Sequence, residues 1–378
     1  MKNKKIKLLF FLHSLRGGGA ERVVTILLRH LDPNLFEINF VLVIKDGQLI
    51  NELPENTKVY EIKVSRTVMA IPDLIFLIHS LEPDIVFSTL TNLIVGAIAL
   101  LSGILFSNKI KFIAREYLLP SLLHKEGNYY WITQIAYKLL YPVFDCIICQ
   151  SMDMKKDLTV NFGVKHDVIT IINNPVDIKR INELSKTSHA IFYDKGIHLV
   201  AAGRLVYQKG FDLLILTISK LPDNFTLTIL GSGKEKTNLI NLSERQGVRD
   251  RVFFAGFKPN PYPYFAQADI FVLSSRYEGF PNVLLEALSC GTPAVAFDCP
   301  GGINEIIQDG KNGFLAKSEN VIDLAKKIEL CAKFNFNSNF IKDSIAAKYS
   351  IEKILPRYNE LFRNMVLTQS QIYGPMWL

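Results

Sequence analysis

The chain has 378 residues, of which 49% are hydrophobic and 21% are charged, and its basic side chains exceed its acidic ones by seven. This composition excludes a largely disordered protein, and the length favours two domains. An odd number of cysteines, five, argues against a secreted disulfide framework. The mild positive charge forms no stripe typical of nucleic-acid binding, so we expect no nucleic-acid partner; anionic small molecules or an anionic membrane face remain compatible.

Short apolar runs alternate with helical patterns in the first half of the chain. Helices are predicted at Ala20–Leu31, Pro72–Leu81 and Trp131–Tyr141. The apolar stretch Leu93–Phe106 is too short to span a membrane, so a core helix is predicted, with an in-plane membrane contact as the alternative. The predicted strands are apolar on both faces, as in a parallel sheet covered by helices: Ile6–Leu12, Glu37–Ile44, Ile85–Ser88, Phe112–Arg115 and Cys146–Gln150.

The same alternation begins again in the second half. Helices are predicted at Phe211–Ser219, Lys234–Gln246 and Asn282–Leu288, with a separate last helix at Ile351–Met365. The predicted strands are Ile197–Ala202, Thr226–Leu230, Arg251–Phe254, Ile270–Leu273, Ala294–Ala296 and Gly313–Leu315.

Two successive α/β runs predict two doubly wound, Rossmann-like domains, with a linker within Asn173–Gly196. We expect the first domain at residues 1–178, the second at 179–348, and a terminal helix and tail at 349–378. Ligands of open parallel sheets bind beyond the carboxyl ends of the strands. Two such domains facing each other would place the ligand in the cleft between them, so the loops after strands are the candidate sites.

The loop between the first strand and the first helix contains Gly17-Gly18-Gly19. Glycines let a backbone approach a ligand closely, and the following helix offers free N–H groups and a positive dipole end. A phosphate or sugar contact is predicted here, with a plain tight turn as the alternative. The spacing is not G-x-G-x-x-G, which gives little support to a dehydrogenase-type dinucleotide site.

The loop after the first strand of the second half carries two cations, Arg204 and Lys209, near the start of a helix at Phe211. Two fixed cations at a helix N-terminus can hold a diphosphate and stabilise it as a leaving group. The alternative is that both are solvated surface residues.

Two carboxylates flank a Gly-Phe-Pro-Asn insert after the strand Ile270–Leu273. Glu278 precedes the helix, Pro281 is predicted at its first position, and Glu286 lies within it. Carboxylates are good acceptors for pairs of sugar or ribose hydroxyls, so the two can meet different parts of one ligand. Gly256-Phe257 after another strand could contact a base, or could form an ordinary turn.

Several motifs are absent from the sequence. There is no Asp-x-Asp to hold a sugar diphosphate through a metal, so no metal or other cofactor is expected. A phosphate-binding G-x-x-x-x-G-K-[ST], H-E-x-x-H and G-x-S-x-G are also missing.

Taken together, these segments resemble the family 4 retaining glycosyltransferases, in order and spacing, over nearly the whole chain. The residues that carry the resemblance are Gly17–Arg22, Asn174–Asp177, Gly203-Arg204, Lys209-Gly210, Gly256-Phe257 and Glu278–Glu286. The resemblance implies a GT-B fold with a terminal helix that crosses back to the first domain. It also implies transfer from a nucleotide sugar, with retained configuration and without a metal.

The resemblance also implies roles for single residues. Arg204 and Lys209 would hold the donor diphosphate, Glu278 the transferred sugar and Glu286 the ribose. The other implied donor-side contacts are the backbone of Phe280, Pro281, Asn282 and Val283, the Gly256-Phe257 turn, and Gly18 and Gly19 from the first domain. Many relatives carry a sugar-contacting histidine in a first-domain loop that here contains Tyr117, with His124 further along.

Within the family, the chain resembles bacterial enzymes that build polysaccharides or lipid-linked oligosaccharides, which often use UDP-sugars and polyprenyl-diphosphate acceptors. A cytoplasmic enzyme is therefore expected. Peripheral contact with an anionic membrane is suggested by Lys109, Lys111 and Lys125 beside the apolar stretches Leu118–Leu123 and Tyr129–Ile132. Two alternatives remain: an enzyme like UDP-N-acetylglucosamine 2-epimerase, and a non-catalytic subunit that binds nucleotide sugars.

Overall fold

The computed structural model describes residues 5–55, 57–106, 109–123, 130–187, 189–192 and 195–372, with side chains up to Leu367. The chain divides into two compact units. Unit 1 comprises the chain up to Pro175 together with the chain from Ile351 onward, and unit 2 is Val176–Ser350. Each unit has its own hydrophobic core.

Unit 1 is built on a sheet of seven strands, in the order β3-β2-β1-β4-β5-β6-β7, and all neighbouring pairs are parallel. The strands are β1 Ile6–Leu12, β2 Phe36–Leu42, β3 Lys58–Glu61, β4 Ile85–Thr89, β5 Lys111–Arg115, β6 Cys146–Cys149 and β7 Ile169–Ile171. The helices between them are α1 Gly19–His30, α2 Ile71–Leu81, α3 Asn92–Leu100, α4 Ser102–Leu105, α5 Tyr130–Leu140 and α6 Met152–Phe162.

Side chains of β1 enter two cores, one on each face of the sheet, because successive residues of a strand point to opposite faces. Leu8 and Phe10 pack into the core on the α1 side, whereas Leu9 and Phe11 pack into the core on the opposite side. All four are fully buried. A strand covered on both faces needs apolar residues pointing both ways, which is why β1 is a continuous apolar run from Leu8 to Leu12.

Unit 2 has a sheet of six parallel strands in the order β10-β9-β8-β11-β12-β13. The strands are β8 Ile197–Ala202, β9 Phe225–Leu230, β10 Val252–Gly256, β11 Ile270–Leu273, β12 Ala294–Asp298 and β13 Gly313–Lys317. The helices are α7 Ile178–Leu184, α8 Phe211–Ile218, α9 Lys236–Arg245, α10 Tyr262–Gln267, α11 Asn282–Ser289, α12 Ile303–Ile306, α13 Val321–Lys333 and α14 Ser338–Tyr349. Two doubly wound α/β units confirm the predicted fold class.

The last helix, α15 (Ile351–Ile372), packs on unit 1. Phe362 is fully buried, with its ring edge-on to three phenylalanines at ring-centre distances of 5.9–6.4 Å: Phe10, Phe36 and Phe87. Tyr358, also fully buried, accepts a hydrogen bond from Nε of Arg115 at 3.2 Å. The implied return of the terminal helix to the first domain is therefore confirmed.

Two strands were missing from the sequence-based predictions. Both β3 and β7 lie at edges of the unit 1 sheet, and they have four and three residues. Strands this short carry too little alternation to be distinguished from loops.

The predicted core helix Leu93–Phe106 is interrupted at Leu101, which separates α3 from α4. Its inward residues Val95 and Ile98 are buried, but Leu100 and Ile104 are 57% and 87% exposed, so this stretch is only partly core. Within the described residues, no helix combines the length and the apolar character needed to cross a bilayer.

We expect Phe362→Ala to lower the free energy of unfolding of the protein by about 3–5 kcal/mol, because the change leaves a cavity between β1, β2 and β4. Urea unfolding followed by fluorescence measures this change. Leu367→Ala is the matched control on the same helix, since Leu367 is 55% exposed, and it should change stability by less than about 0.5 kcal/mol. Equal losses in the two variants would contradict the packing of α15 described above.

Candidate active site

The strand order of unit 2 reverses between β8 and β11, which are neighbours in the sheet although they are distant in the chain. The loops that leave these two strands at their carboxyl ends diverge to either side, and ligands of open α/β sheets bind at such a point. One loop carries Arg204 and Lys209, and the other carries Glu278. The candidate active site of unit 2 lies here.

The loop after β8 is pressed against the end of β11. A single 3₁₀ turn, Tyr207–Lys209, is followed by Gly210, whose φ of +61° favours glycine. A Cβ atom on Gly210 would lie only 2.0 Å from the carbonyl oxygen of Ser274. The Ser274 hydroxyl donates to the Lys209 carbonyl at 3.1 Å. Helix α8 begins at Phe211, so Lys209 lies just before the N-terminus of the helix, as predicted.

Lys209 and Glu278 form an ion pair. The ammonium Nζ lies 2.6 Å from Glu278 Oε1, and the Ser275 hydroxyl donates to the same oxygen at 2.6 Å. The two side chains are 16% and 7% exposed. Glu278 Oε2 accepts no hydrogen bond from any described residue, so one carboxylate oxygen is held and the other can accept from a ligand.

The backbone around Glu278 is fixed by the loop after β12. The Glu278 N–H donates to the carbonyl of Pro300 at 2.9 Å. Gly301 has a φ of +129°, and a Cβ there would approach the Glu278 carbonyl oxygen to 2.6 Å. The site therefore depends on a glycine at 301 for the close approach of the two loops.

Arg204 differs from Lys209 in being exposed. Its guanidinium makes no hydrogen bond or ion pair with any residue in the described part of the chain. A guanidinium offers five N–H donors in a planar fork that matches phosphate oxygens. The loop after β8 thus presents one cation already paired and one cation available to an anionic ligand.

Helix α11 places Glu286 behind this loop, where the residue is 9% exposed. The helix begins at Asn282, so Pro281 is the N-cap residue; the prediction that Pro281 takes the first helical position is wrong by one residue. Its ψ of 103° is not helical, which explains the shift. The Phe280 side chain is buried against the Tyr349 ring at 5.5 Å, so this residue turns its side chain into the core.

Gly256 ends β10 with a φ of +73°, after a register shift in the pairing with β9. The exposed fraction of the following Phe257 is 46%. Its ring is therefore available to an outside group, while no contact joins it to Lys209 or Glu278.

The loop that contains Gly17-Gly18-Gly19 belongs to unit 1, and two of its backbone N–H groups are held by a side chain of α1. Glu21 Oε2 accepts hydrogen bonds from the N–H groups of Gly17 and Gly18, at 2.7 and 3.0 Å. Gly18 is the N-cap of α1, and Gly19 is its first residue. Two backbone N–H groups of the predicted phosphate-binding loop, those of Gly17 and Gly18, thus donate to the Glu21 carboxylate instead.

A buried acid lies in the loop after β5, where the resemblance implied a histidine. Glu116 is 1% exposed; it accepts hydrogen bonds from the Tyr141 hydroxyl and from the Tyr117 N–H. Burial raises the pKa of Glu116 to about 7, against the lowering effect of the Tyr141 hydrogen bond. Nearby Asp157 raises this pKa further, and Arg115 lowers it. The other candidate, His124, lies outside the described residues.

Sequence reasoning missed three residues of these sites: Ser275, Arg276 and Glu116. Each follows the carboxyl end of a parallel strand within a few residues, and this position was the available signal. Arg276 and Glu116 have their main partners, Asp212 and Tyr141, far away in the chain, so their roles could not be read locally, whereas Ser275 bonds to Glu278 only three residues on. The described residues contain no group of three or more His, Cys, Asp or Glu side chains that could hold a metal ion.

Each half of the chain matches a glycosyltransferase family model of its own. Residues 17–180 match the family described as Glycosyltransferase Family 4, and residues 185–342 match Glycosyl transferases group 1.

The chain is 30% identical over 328 residues to the N-acetylgalactosamine-N,N'-diacetylbacillosaminyl-diphospho-undecaprenol 4-alpha-N-acetylgalactosaminyltransferase of Campylobacter jejuni, covering 83% of this chain and 87% of that protein. It is also 30% identical to the lipopolysaccharide core biosynthesis glycosyltransferase LpsE of Rhizobium meliloti, over 57% of this chain and 64% of that one.

A solved structure, Anabaena HepE in complex with UDP and glucose, has the same fold. It superposes with a TM-score of 0.79 at 20% identity, covering 95% of this chain and all of that one.

We expect the stability of the protein to fall as pH rises from about 5 to about 7.5, through Glu116. Above its unfolded pKa near 4.5 the unfolded chain loses this proton, whereas the folded chain keeps it until a pKa of about 7. The difference corresponds to a loss on the order of 3 kcal/mol. Glu116→Gln should remove this part of the pH dependence.

Thermal unfolding at several pH values measures the effect. The Tm of Glu116→Gln should rise relative to that of the wild type as pH increases, and Glu244→Gln, which removes an exposed carboxylate, is the matched charge control. Parallel curves for wild type and Glu116→Gln would contradict the raised pKa.

Proposed function

The chain belongs to the family 4 glycosyltransferases, and on this premise we propose that it is a retaining enzyme of cell-surface polysaccharide synthesis. It moves a hexose or N-acetylhexosamine from a UDP-linked sugar to a glycan or a polyprenyl-diphosphate-linked acceptor. The observation that carries the donor half of this proposal is the arrangement at the ends of β8 and β11. There an available guanidinium, Arg204, shares one loop with a lysine that is paired to Glu278.

The donor diphosphate is held by Arg204 and Lys209. Charge-assisted hydrogen bonds to phosphate are among the strongest available to a protein, and they strengthen as negative charge gathers on a leaving group. The Lys209 side chain is 16% exposed and its Nζ already lies 2.6 Å from Glu278 Oε1, so it needs little reorganisation when the donor binds. With these two cations, the leaving diphosphate needs no metal ion.

The transferred sugar and the nucleoside contact different residues at the carboxyl ends of the unit 2 strands. Glu278 Oε2, which has no partner among the described residues, accepts from hydroxyls of the transferred sugar. Glu286 accepts from the ribose. The backbone of Phe280, Pro281, Asn282 and Val283 adds hydrogen bonds, and Gly256 with the exposed ring of Phe257 borders the base.

Retention follows if the departing diphosphate acts as the base. The bond from the anomeric carbon to the phosphate oxygen breaks, and the acceptor oxygen bonds to that carbon on the same face. The acceptor hydroxyl passes its proton to a phosphate oxygen. Positive charge develops on the sugar in this step, close to Glu278, so the carboxylate stabilises the transition state more than the ground state. Gly18 and Gly19, at the start of α1, are proposed to contact the donor phosphate or the acceptor.

The choice of acceptor is supported by the Campylobacter jejuni relative, whose name places its substrate on undecaprenyl diphosphate. The choice of base is supported by HepE, which binds UDP and glucose.

A lipid-linked acceptor is consistent with an apolar face on unit 1. We define this face as the exposed apolar residues of α3, α4 and α5 and of the Leu101 link between α3 and α4: Leu100, Leu101, Ile104, Trp131, Ile132, Ile135 and Leu139, each between 44% and 87% exposed. Helices α3 and α5 approach closely at Gly96, where a Cβ would lie 3.0 Å from Leu140 Cβ. The only charge on these three helices is Lys138. An apolar face with basic charge alone suits an anionic membrane surface.

The donor-site proposal predicts different defects for its two glutamates. Glu278→Gln should lower kcat by about a hundredfold with little change in donor affinity, because it stabilises charge that develops in the transition state. Glu286→Gln should weaken donor binding by about tenfold with a smaller effect on kcat, because it holds ribose in both states.

These values are obtained from kinetics and donor titration in excess EDTA, with UDP-N-acetylhexosamines and UDP-hexoses as donors and Glu244→Gln as control. Near-native kinetics in both glutamate variants would contradict the site. Wild-type activity that requires added magnesium would contradict the two-cation arrangement, and conversion of the donor into a second nucleotide sugar without an acceptor would indicate an epimerase.

The apolar face predicts binding to vesicles. The protein should float with vesicles made of equal parts phosphatidylcholine and phosphatidylglycerol at low salt, and the pair Ile104→Ser and Trp131→Ser should abolish flotation. Val160→Ser is the matched control, because Val160 is 71% exposed on α6 and lies outside this face. Failure of the wild type to float would refute the membrane contact but leave the donor site untouched.

A further inference from the structure

Arg276 connects the two loops that carry Lys209 and Glu278. It lies two residues before Glu278, and its side chain is 8% exposed. Its guanidinium grips Asp212 with both nitrogens of the fork, Nη1 to Oδ1 at 2.9 Å and Nη2 to Oδ2 at 2.6 Å. Asp212 is in the first turn of α8, directly after the loop that carries Lys209.

The same arginine holds the turn Tyr207–Lys209 itself. Nη1 donates to the Tyr207 carbonyl at 2.8 Å, and the guanidinium stacks over the Tyr207 ring at 3.8 Å. The Arg276 N–H donates to the carbonyl of Gln208 at 2.8 Å, and Gln208 Nε2 donates back to the Tyr277 carbonyl at 3.0 Å. The turn is therefore fastened on both sides by the segment that precedes Glu278.

A third segment completes the arrangement. Arg276 Nε donates to Glu319 Oε2 at 3.2 Å, and Glu319 lies beyond the end of β13. One side chain thus joins loops that leave β8, β11 and β13 at the same edge of the sheet.

We propose that Arg276 is a positioning residue for the donor site. It contacts neither Lys209 nor Glu278 with its side chain, but it fixes the loops that carry them, so that Nζ and Oε1 are already 2.6 Å apart before a donor arrives. A lysine could keep the charge but could not supply the two-pronged contact, the Tyr207 carbonyl contact and the stacking together. The inference rests on the proposed function, because it assumes that Lys209 binds the donor diphosphate.

The test is UDP binding by calorimetry, since UDP carries the diphosphate that Lys209 is proposed to hold. Arg276→Lys should raise the Kd for UDP on the order of tenfold to a hundredfold, because displacement of a binding group by a fraction of an ångström is costly. Arg251→Lys is the matched control. Arg251 is also largely buried and donates to the backbone carbonyls of Ile218, the last residue of α8, and of Leu221 and Pro222 in the loop from α8 to β9, at the opposite end of the strands. It should lower Tm and leave the Kd for UDP unchanged.

A double-mutant cycle separates positioning from general destabilisation. If Arg276 acts through Lys209, its replacement should have little further effect on UDP binding in a Lys209→Met background. Asp212→Asn, which changes a side chain that is 40% exposed, provides a milder second variant and should weaken UDP binding in the same direction.

The outcomes are distinct. If the wild type binds UDP and both Arg276→Lys and Asp212→Asn bind it equally well, the positioning role is wrong and the proposed donor stands. Additive effects of the Arg276 and Lys209 changes also overturn it. If the wild type does not bind UDP, the proposed donor is wrong and the positioning role falls with it.

Discussion

The ion pair between Lys209 and Glu278 is the contact around which the donor-side edge of unit 2 is organised. Withdrawing two charges from water is unfavourable unless close geometry and further hydrogen bonds compensate for it. Here the compensation comes from Ser275, which donates to the shared carboxylate oxygen, and from the close loop approaches at Gly210 and Gly301. The proposed donor diphosphate would meet here a cation that is already oriented and partly desolvated, which is the condition under which electrostatic stabilisation is strongest.

Within the described part of unit 1, the buried charged residues Arg115 and Glu116 are held by neutral partners rather than by an ion pair. Arg115 and Glu116 are adjacent in the chain, yet each has its own partners: Arg115 donates to Tyr358 and Asn174, and Glu116 accepts from Tyr141. Burial raises the pKa of this carboxyl group to about 7, more than the hydrogen bonds from Tyr141 and Tyr117 lower it, so its protonation responds to pH near neutrality. The loop after β5 therefore carries a group whose charge changes near neutral pH, whereas Glu278 in unit 2 is paired with a lysine.

Much of the fold could be predicted from the sequence, because strands buried on both faces leave long apolar runs. The bounds of β1, β8 and β11 were predicted without error, whereas the short edge strands β3 and β7 were not found. For the site, Lys209 and Glu278 were found from their places after strands, but their mutual pairing was not. The grip of Arg276 on Asp212 joins residues far apart in the chain, and the closure of the glycine loop by Glu21 depends on side-chain geometry. The first of these contacts depends on tertiary structure and has no local signature, whereas Glu21 lies only three and four residues from Gly18 and Gly17.

The packing of α15 on unit 1 makes that unit discontinuous in the chain, and this has a consequence for biosynthesis. Until Phe362 is made, the rings of Phe10, Phe36 and Phe87 have no partner from α15, and all of unit 2 is synthesised in the interval. Domains fold as units during synthesis, in general from the N-terminus. Here the first unit to emerge from the ribosome is the last to complete its core, so unit 2 can fold while the rings of Phe10, Phe36 and Phe87 are still uncovered by α15.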